Sequence, residues 1–187
     1  IENIKNQYVD GRKIADEFTS KITAIGENLQ LRRGRTIKLV DEGVIASYMH
    51  NKISDSLGKI GVLVVLHSNA EENVLKEFGK QIAMHIAAMK PEFLDEFSVS
   101  EERLAREKDI FRERSANSGK PQNIIEKMTV AMTKKFYEEN CLMNQVFVMD
   151  NSLKISDLVR NFSKENNTSV EIKDYVLFVL GEGLEKK

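Results

Sequence analysis

The stretch "VIASYMHNKISDSLGKIGVLVVLHS", Val44 to Ser68, decides the fold. "VIASYMH" (Val44–His50) and "KIGVLVVLHS" (Lys59–Ser68) are rich in β-branched and aliphatic residues, and each is long enough for a strand. The polar "NKISDSLG" between them predicts a hairpin. The pattern then changes period. From Glu71 to Met89, Leu75, Phe78, Ile82 and Ile86 recur at steps of three and four, so a helix is expected there, closed by Pro91. A hairpin followed by an amphipathic helix points to antiparallel sheet with a helix on one face.

Working back from the hairpin, "LQLRRGRTIKLV" alternates, with Leu29, Leu31, Ile37 and Leu39 on a period of two, and predicts a further strand. Ile14, Phe18, Ile22 and Ile25 form one helical stripe, and Gly26 is placed to end that helix in a left-handed conformation.

Working forward, Ser98 to Glu101 has the spacing of a capping box and would open a charged helix ending near Ser115. A second helix, from about Gln122 to Glu139, carries Ile125, Met128, Met132 and Phe136. The first offers only Leu104, Ile110 and Phe111 as large apolar residues. The pair, residues 99–140, is therefore expected as a protruding antiparallel helical hairpin with a narrow seam. "NQVFVMD" then predicts a strand, "ISDLVRNFSKENN" a short helix, and "TSVEIKDYVLFVLGEG" one or two strands. The fold class expected is α+β: antiparallel sheet packed with helices, interrupted by the hairpin.

Composition bounds the chemistry. With 28 basic and 29 acidic residues among 187, no global field draws the chain to nucleic acid or membrane, and no direct nucleic-acid contact is expected. No apolar run reaches the roughly 18 residues of a bilayer span. One cysteine, Cys141, excludes an intrachain disulfide and suits a reducing cytoplasm. It has no second cysteine nearby and reads as a small buried hydrophobe. The chain opens on Ile1 rather than methionine, which suggests a piece of a longer protein.

"SGKP" (Ser118–Pro121) resembles the end of a phosphate-binding loop. That loop needs a glycine where Arg114 stands, a Ser or Thr where Pro121 stands, and a strand leading in. All three are lacking, so a turn between helices is expected, with Pro121 in the first turn of the second. His50, His67 and His85 lie 17 and 18 residues apart, without the spacing of a helical metal site. The basic run "LRRGR", with Arg32, Arg33 and Arg35, has no interleaved aromatic residues to stack bases. Nothing assembles a nucleophile, base and oxyanion donor. The residues alone predict a non-catalytic domain with no cofactor and no metal.

Seven blocks go further: "KITAIGENLQLRR", "GVIASYMHN", "KIGVLVVLHSNAEE", "QIAMHIAAMKPEFL", "SGKPQNIIEKM", "QVFVMDNSLKISDLV" and "VLFVLGEGLEKK". In this order, from about Ile14 to Lys186, they resemble the core of bacterial translation elongation factor Ts. The resemblance implies a guanine nucleotide exchange factor that binds the GTPase elongation factor Tu and releases its GDP. It implies a core of two related α+β subdomains with a coiled-coil hairpin, "SGKP" at its tip. Residues 1–43 would then be the remainder of the N-terminal subdomain, and 44–98 with 141–187 the C-terminal subdomain, the hairpin 99–140 being inserted. By the same resemblance Ile25, Gly26 and His50 are partner-binding positions that meet the GTPase's nucleotide-binding domain.

The departures are equally specific. The family's N-terminal Thr-Gly helical segment and its Thr-Asp-Phe-Val loop do not occur in this sequence, nor does a short helix after "GEGLEKK". The resemblance therefore implies a fragment that keeps docking surfaces and is weakened in exchange. The alternative is a helical-hairpin interaction or chaperone-like module, which would want an apolar seam on both helices. The sequence leaves open a homodimer through Cys141 or a sheet edge.

Overall fold

A computed structural model describes residues 1–54, 57–116 and 121–183. The chain divides into two compact units, Ile1–Ile37 and Lys38–Lys187.

In the first unit, helix α1 (Glu2–Lys5) precedes a ribbon of β1 (Tyr8–Val9) and β2 (Arg12–Lys13). Asp10 and Gly11 join the strands with φ of 51° and 78°, the paired left-handed conformation of a tight two-residue hairpin turn. Helix α2 (Ile14–Ile25) follows and ends at Gly26 with φ 71°, whose N–H bonds the Ile22 carbonyl at 2.9 Å, as the sequence predicts. The strand expected over Leu29–Leu39 does not form. Leu29, Leu31 and Ile37 are half-buried, so the alternation is real, but residues 28–40 pair with no neighbouring strand. Alternation specifies which side chains turn inward; only a partner satisfies the backbone as a strand.

The second unit is built on the sheet that Val44–Ser68 predicts. Strands β3 (Gly43–Ser54) and β4 (Leu57–His67) pair antiparallel, and β7 (Glu171–Val179) adds to the other side of β4. Helix α3 (Glu72–Met89) lies on one face, with Leu75, Phe78, Ile82 and Ile86 buried against Val44, Val62, Val64 and Leu66. The helix is pinned at both ends. The Glu71 carboxylate accepts from the Asn73 and Val74 N–H groups, which holds its pKa below the usual range, and Lys90 ends the helix at φ 49° just before Pro91. Gly79 lets helix and sheet approach closely: a Cβ there would stand 2.5 Å from Ala46 Cβ.

Two short strands, β5 (Val146–Phe147) and β6 (Asp150–Lys154), replace the single strand expected from "NQVFVMD". Helix α6 (Ile155–Glu165) closes the core, its Phe162 ring stacked 3.9 Å from Phe78. Helices α4 (Glu101–Ala116) and α5 (Gln122–Asn140) pack against each other, with Val99, Leu104, Phe111, Phe136 and Cys141 in a second apolar cluster. Arg103 stacks over Phe136 at 5.4 Å. The cap of α4 is Ser100, whose hydroxyl accepts from the Arg103 N–H at 3.2 Å; Ser98 instead ends a 3-10 turn capped by Asp95. The expected box does not form: the serine cap lies two residues later, because the 3-10 turn takes Ser98 first, and the residue three after Ser100 is Arg103 rather than an acid. Pro121 is the N-cap of α5. The turn expected at Gly119 and Lys120 lies outside the described residues. The chain is α+β, as its sequence predicts. A coiled-coil twist for the α4–α5 pair stays an expectation from the resemblance.

Candidate functional site

The positions that the sequence singles out fall in both units. Ile25 and Gly26 form the C-terminal corner of α2, Ile25 being 54% exposed. A Cβ on Gly26 would meet nothing within 4 Å, so the glycine is needed for its φ and not for room. Gly26→Ala is expected to lower stability by about 1 kcal/mol through the left-handed conformation alone. A urea-unfolding midpoint checks this, and an unchanged midpoint would contradict it.

His50 stands on β3 in the second unit. The alternate residues Val44, Ala46, Tyr48 and His50 face the same side and grade from buried to exposed. Tyr48 rests against the main core, and its hydroxyl lies 3.1 Å from His50 Nδ1. Directly after His50 the strand turns irregular, with Asn51 at φ 51° and a register shift between Lys52 and Ser54. Gly58 opposite has no space for a side chain: a Cβ would stand 2.9 Å from the His50 carbonyl oxygen. His50 is thus an exposed ring at the last position before the strand turns irregular. Tyr48 is a neighbour of His50 that sequence reasoning passes over. The signal was there, since tyrosine two residues before histidine on a strand shares its face.

His85 and Cys141 are core residues. His85 is fully buried: its Nε2–H donates to Gln145 Oε1 at 3.0 Å, and its Nδ1 accepts from the Val148 N–H at 3.2 Å. Burial pushes its pKa down, against the opposing effect of the Gln145 bond. Cys141 is also fully buried, and burial, with Glu96 and Asp95 nearby, pushes its thiol up to about 11. It is therefore a protonated thiol at neutral pH, neither a nucleophile nor accessible to a second chain. Among the described residues no group of three or more His, Cys, Asp or Glu could hold a metal ion. No helix among them is long and apolar enough to cross a membrane. What precedes "SGKP" is helix α4, not the strand a phosphate loop requires. A groove of about 580 Å³ between α4 and α5, lined by Ile125, Val130, Tyr137, Lys108 and Glu96, contains no histidine or cysteine.

Comparison with known proteins matches the sequence of this chain to one family. The family model described as Elongation factor TS matches residues 1–182. Elongation factor Ts of Erythrobacter litoralis is 48% identical over 180 residues, covering 96% of this chain and 58% of the relative. Elongation factor Ts of Rhodospirillum centenum is 44% identical over 188 residues, covering 100% of this chain and 61% of the relative. That of Orientia tsutsugamushi is 41% identical over 186 residues, covering 99% and 60%. The chain spans about three-fifths of the length of these relatives and belongs to the elongation factor Ts family of translation elongation factors.

Proposed function

We propose that this chain binds elongation factor Tu in the cytoplasm and promotes release of its GDP, acting as an exchange factor and not as an enzyme. The observation that carries this reading is the family match over residues 1–182. The exposed corner at Ile25 and Gly26 and the exposed His50 support it as docking positions.

Exchange requires no bond chemistry. A factor that binds the nucleotide-free GTPase better than the GDP-bound form must lower GDP affinity by the same ratio, because the two bindings share one thermodynamic cycle. Coupling of this kind is typically about 1–3 kcal/mol, or roughly 5- to 150-fold. No Thr-Asp-Phe-Val stretch stands among these 187 residues, so their exchange is expected near the lower end of that range. Stopped-flow release of a fluorescent GDP from Tu tests the reading. Faster release that saturates with added chain is expected, and an unchanged release rate at saturating chain would overturn it.

A further inference from the structure

We propose that Tyr48 is a positioning residue for partner docking. Its hydroxyl donates to His50 Nδ1, fixes the neutral ring as the Nε2–H tautomer, and so presents Nε2–H to an acceptor oxygen on the GTPase surface. This rests on the reading of His50 as a contact with Tu.

The direction of the 3.1 Å bond between Tyr48 Oη and His50 Nδ1 follows from chemistry. A phenol O–H is a stronger donor than a neutral imidazole N–H, and an imidazole lone pair is a stronger acceptor than a phenol oxygen. The tyrosine therefore donates, Nδ1 carries the lone pair, and the ring proton resides on Nε2. The geometry makes that choice durable. Tyr48 is half-buried against the core and pairs across the sheet with Val62, so its hydroxyl is held and not free to wander. His50 pairs across the sheet with Ile60, at the last position before the strand turns irregular at Asn51. Gly58 on the neighbouring strand leaves no room for a side chain beside this ring's backbone, since a Cβ there would stand 2.9 Å from the His50 carbonyl oxygen. Among the described residues His50 has no side-chain hydrogen-bond partner other than Tyr48, so Nε2 is left to solvent or to a partner. A preset donor costs less ordering on binding than a ring free to choose its tautomer and rotamer. The matching group on the GTPase is a backbone carbonyl or a carboxylate oxygen, not a donor.

The test has one arm on the chain alone and one on the complex. Nitrogen-15 NMR of the histidine side chains near pH ~8, where imidazole is neutral, should show His50 unprotonated at Nδ1 and protonated at Nε2. In Tyr48→Phe the ring should relax toward a mixture of tautomers while the thermal midpoint stays close to that of the parent. Titration against purified Tu should show Tyr48→Phe binding about two- to tenfold more weakly, the worth of one hydrogen bond. The amide of glutamine can take the place of Nε2 and that of asparagine the place of Nδ1. His50→Gln should therefore retain binding within about threefold, and His50→Asn should lose about tenfold. Equal binding by the two variants, a wild-type ring protonated at Nδ1, or an unchanged tautomer in Tyr48→Phe would each overturn the proposal. If the unaltered chain fails to bind Tu at all, the functional reading falls and the docking role with it. The tautomer measurement then reports separately whether Tyr48 sets the ring.

Discussion

Replacing His85 by leucine should destabilise the Lys38–Lys187 unit by about 2–3 kcal/mol, although leucine matches the ring roughly in size. His85 is the middle of a chain of bonds that fastens α3 to the segment after α5. Gln145 Nε2 donates to the Glu139 carbonyl at 2.7 Å, His85 Nε2–H donates to Gln145 Oε1, and Val148 N–H donates to His85 Nδ1. Leucine would leave the buried Gln145 Oε1 without its partner, at a cost of about 1–3 kcal/mol, and the Val148 N–H without its acceptor at a smaller cost, because Val148 is 43% exposed. Urea unfolding followed by circular dichroism reads the difference, and a loss below about 1 kcal/mol would show that water satisfies both groups.

The same contacts give a pH dependence. Nδ1 can accept from Val148 only while it is unprotonated, and burial lowers the His85 pKa below its ordinary value of 6.5. The unfolded chain therefore takes up a proton that the folded chain refuses. Stability from this group is fully present above about pH 6.5 and is lost as the pH falls through that value toward the lower folded pKa, with a limiting slope of about 1.4 kcal/mol per pH unit. His85→Leu should flatten that part of the stability profile. A variant whose acid slope equals that of the parent would locate the proton elsewhere.

Filling Gly79 should be as damaging by a different route. A Cβ would lie 2.5 Å from Ala46 Cβ and 3.0 Å from Leu66 Cδ1, so α3 must lift from the sheet. Overpacking of this kind costs about 1–3 kcal/mol for small insertions. Gly79→Ala regains about 1 kcal/mol of helix propensity, for a net loss of up to about 2 kcal/mol, and Gly79→Leu should exceed about 3 kcal/mol. The double variant Gly79→Ala with Ala46→Gly should recover most of the loss, because it removes the group that is struck. Additive losses in that double-mutant cycle would contradict the close approach as the cause.

Local pattern made much of this fold legible and stopped where tertiary partners decide. The helix over Glu72–Met89 follows from periodicity, and the strand pair on either side of 55–56 from runs of β-branched and aliphatic residues. Leu29–Leu39 misled because alternation describes side chains, whereas a strand also needs a neighbour. The cap of α4 moved from Ser98 to Ser100 because a preceding turn, held by Asp95, competes for the first serine. His85 was readable as a core residue, but not its partners Gln145 and Val148, which are 60 and 63 residues away in sequence. At the candidate site, composition and spacing pointed to none of Ile25, Gly26 or His50; resemblance did. The structure adds what resemblance lacked: Gly26 in the left-handed region and Tyr48 against His50.

The central claim is that this chain and GDP compete, by linkage, for elongation factor Tu. Isothermal titration of the chain into Tu, once nucleotide-free and once with saturating GDP, reads that competition directly. Tight binding to nucleotide-free Tu that weakens at least about fivefold with GDP is the predicted result. Equal affinity in the two titrations, or no binding in either, would contradict the account.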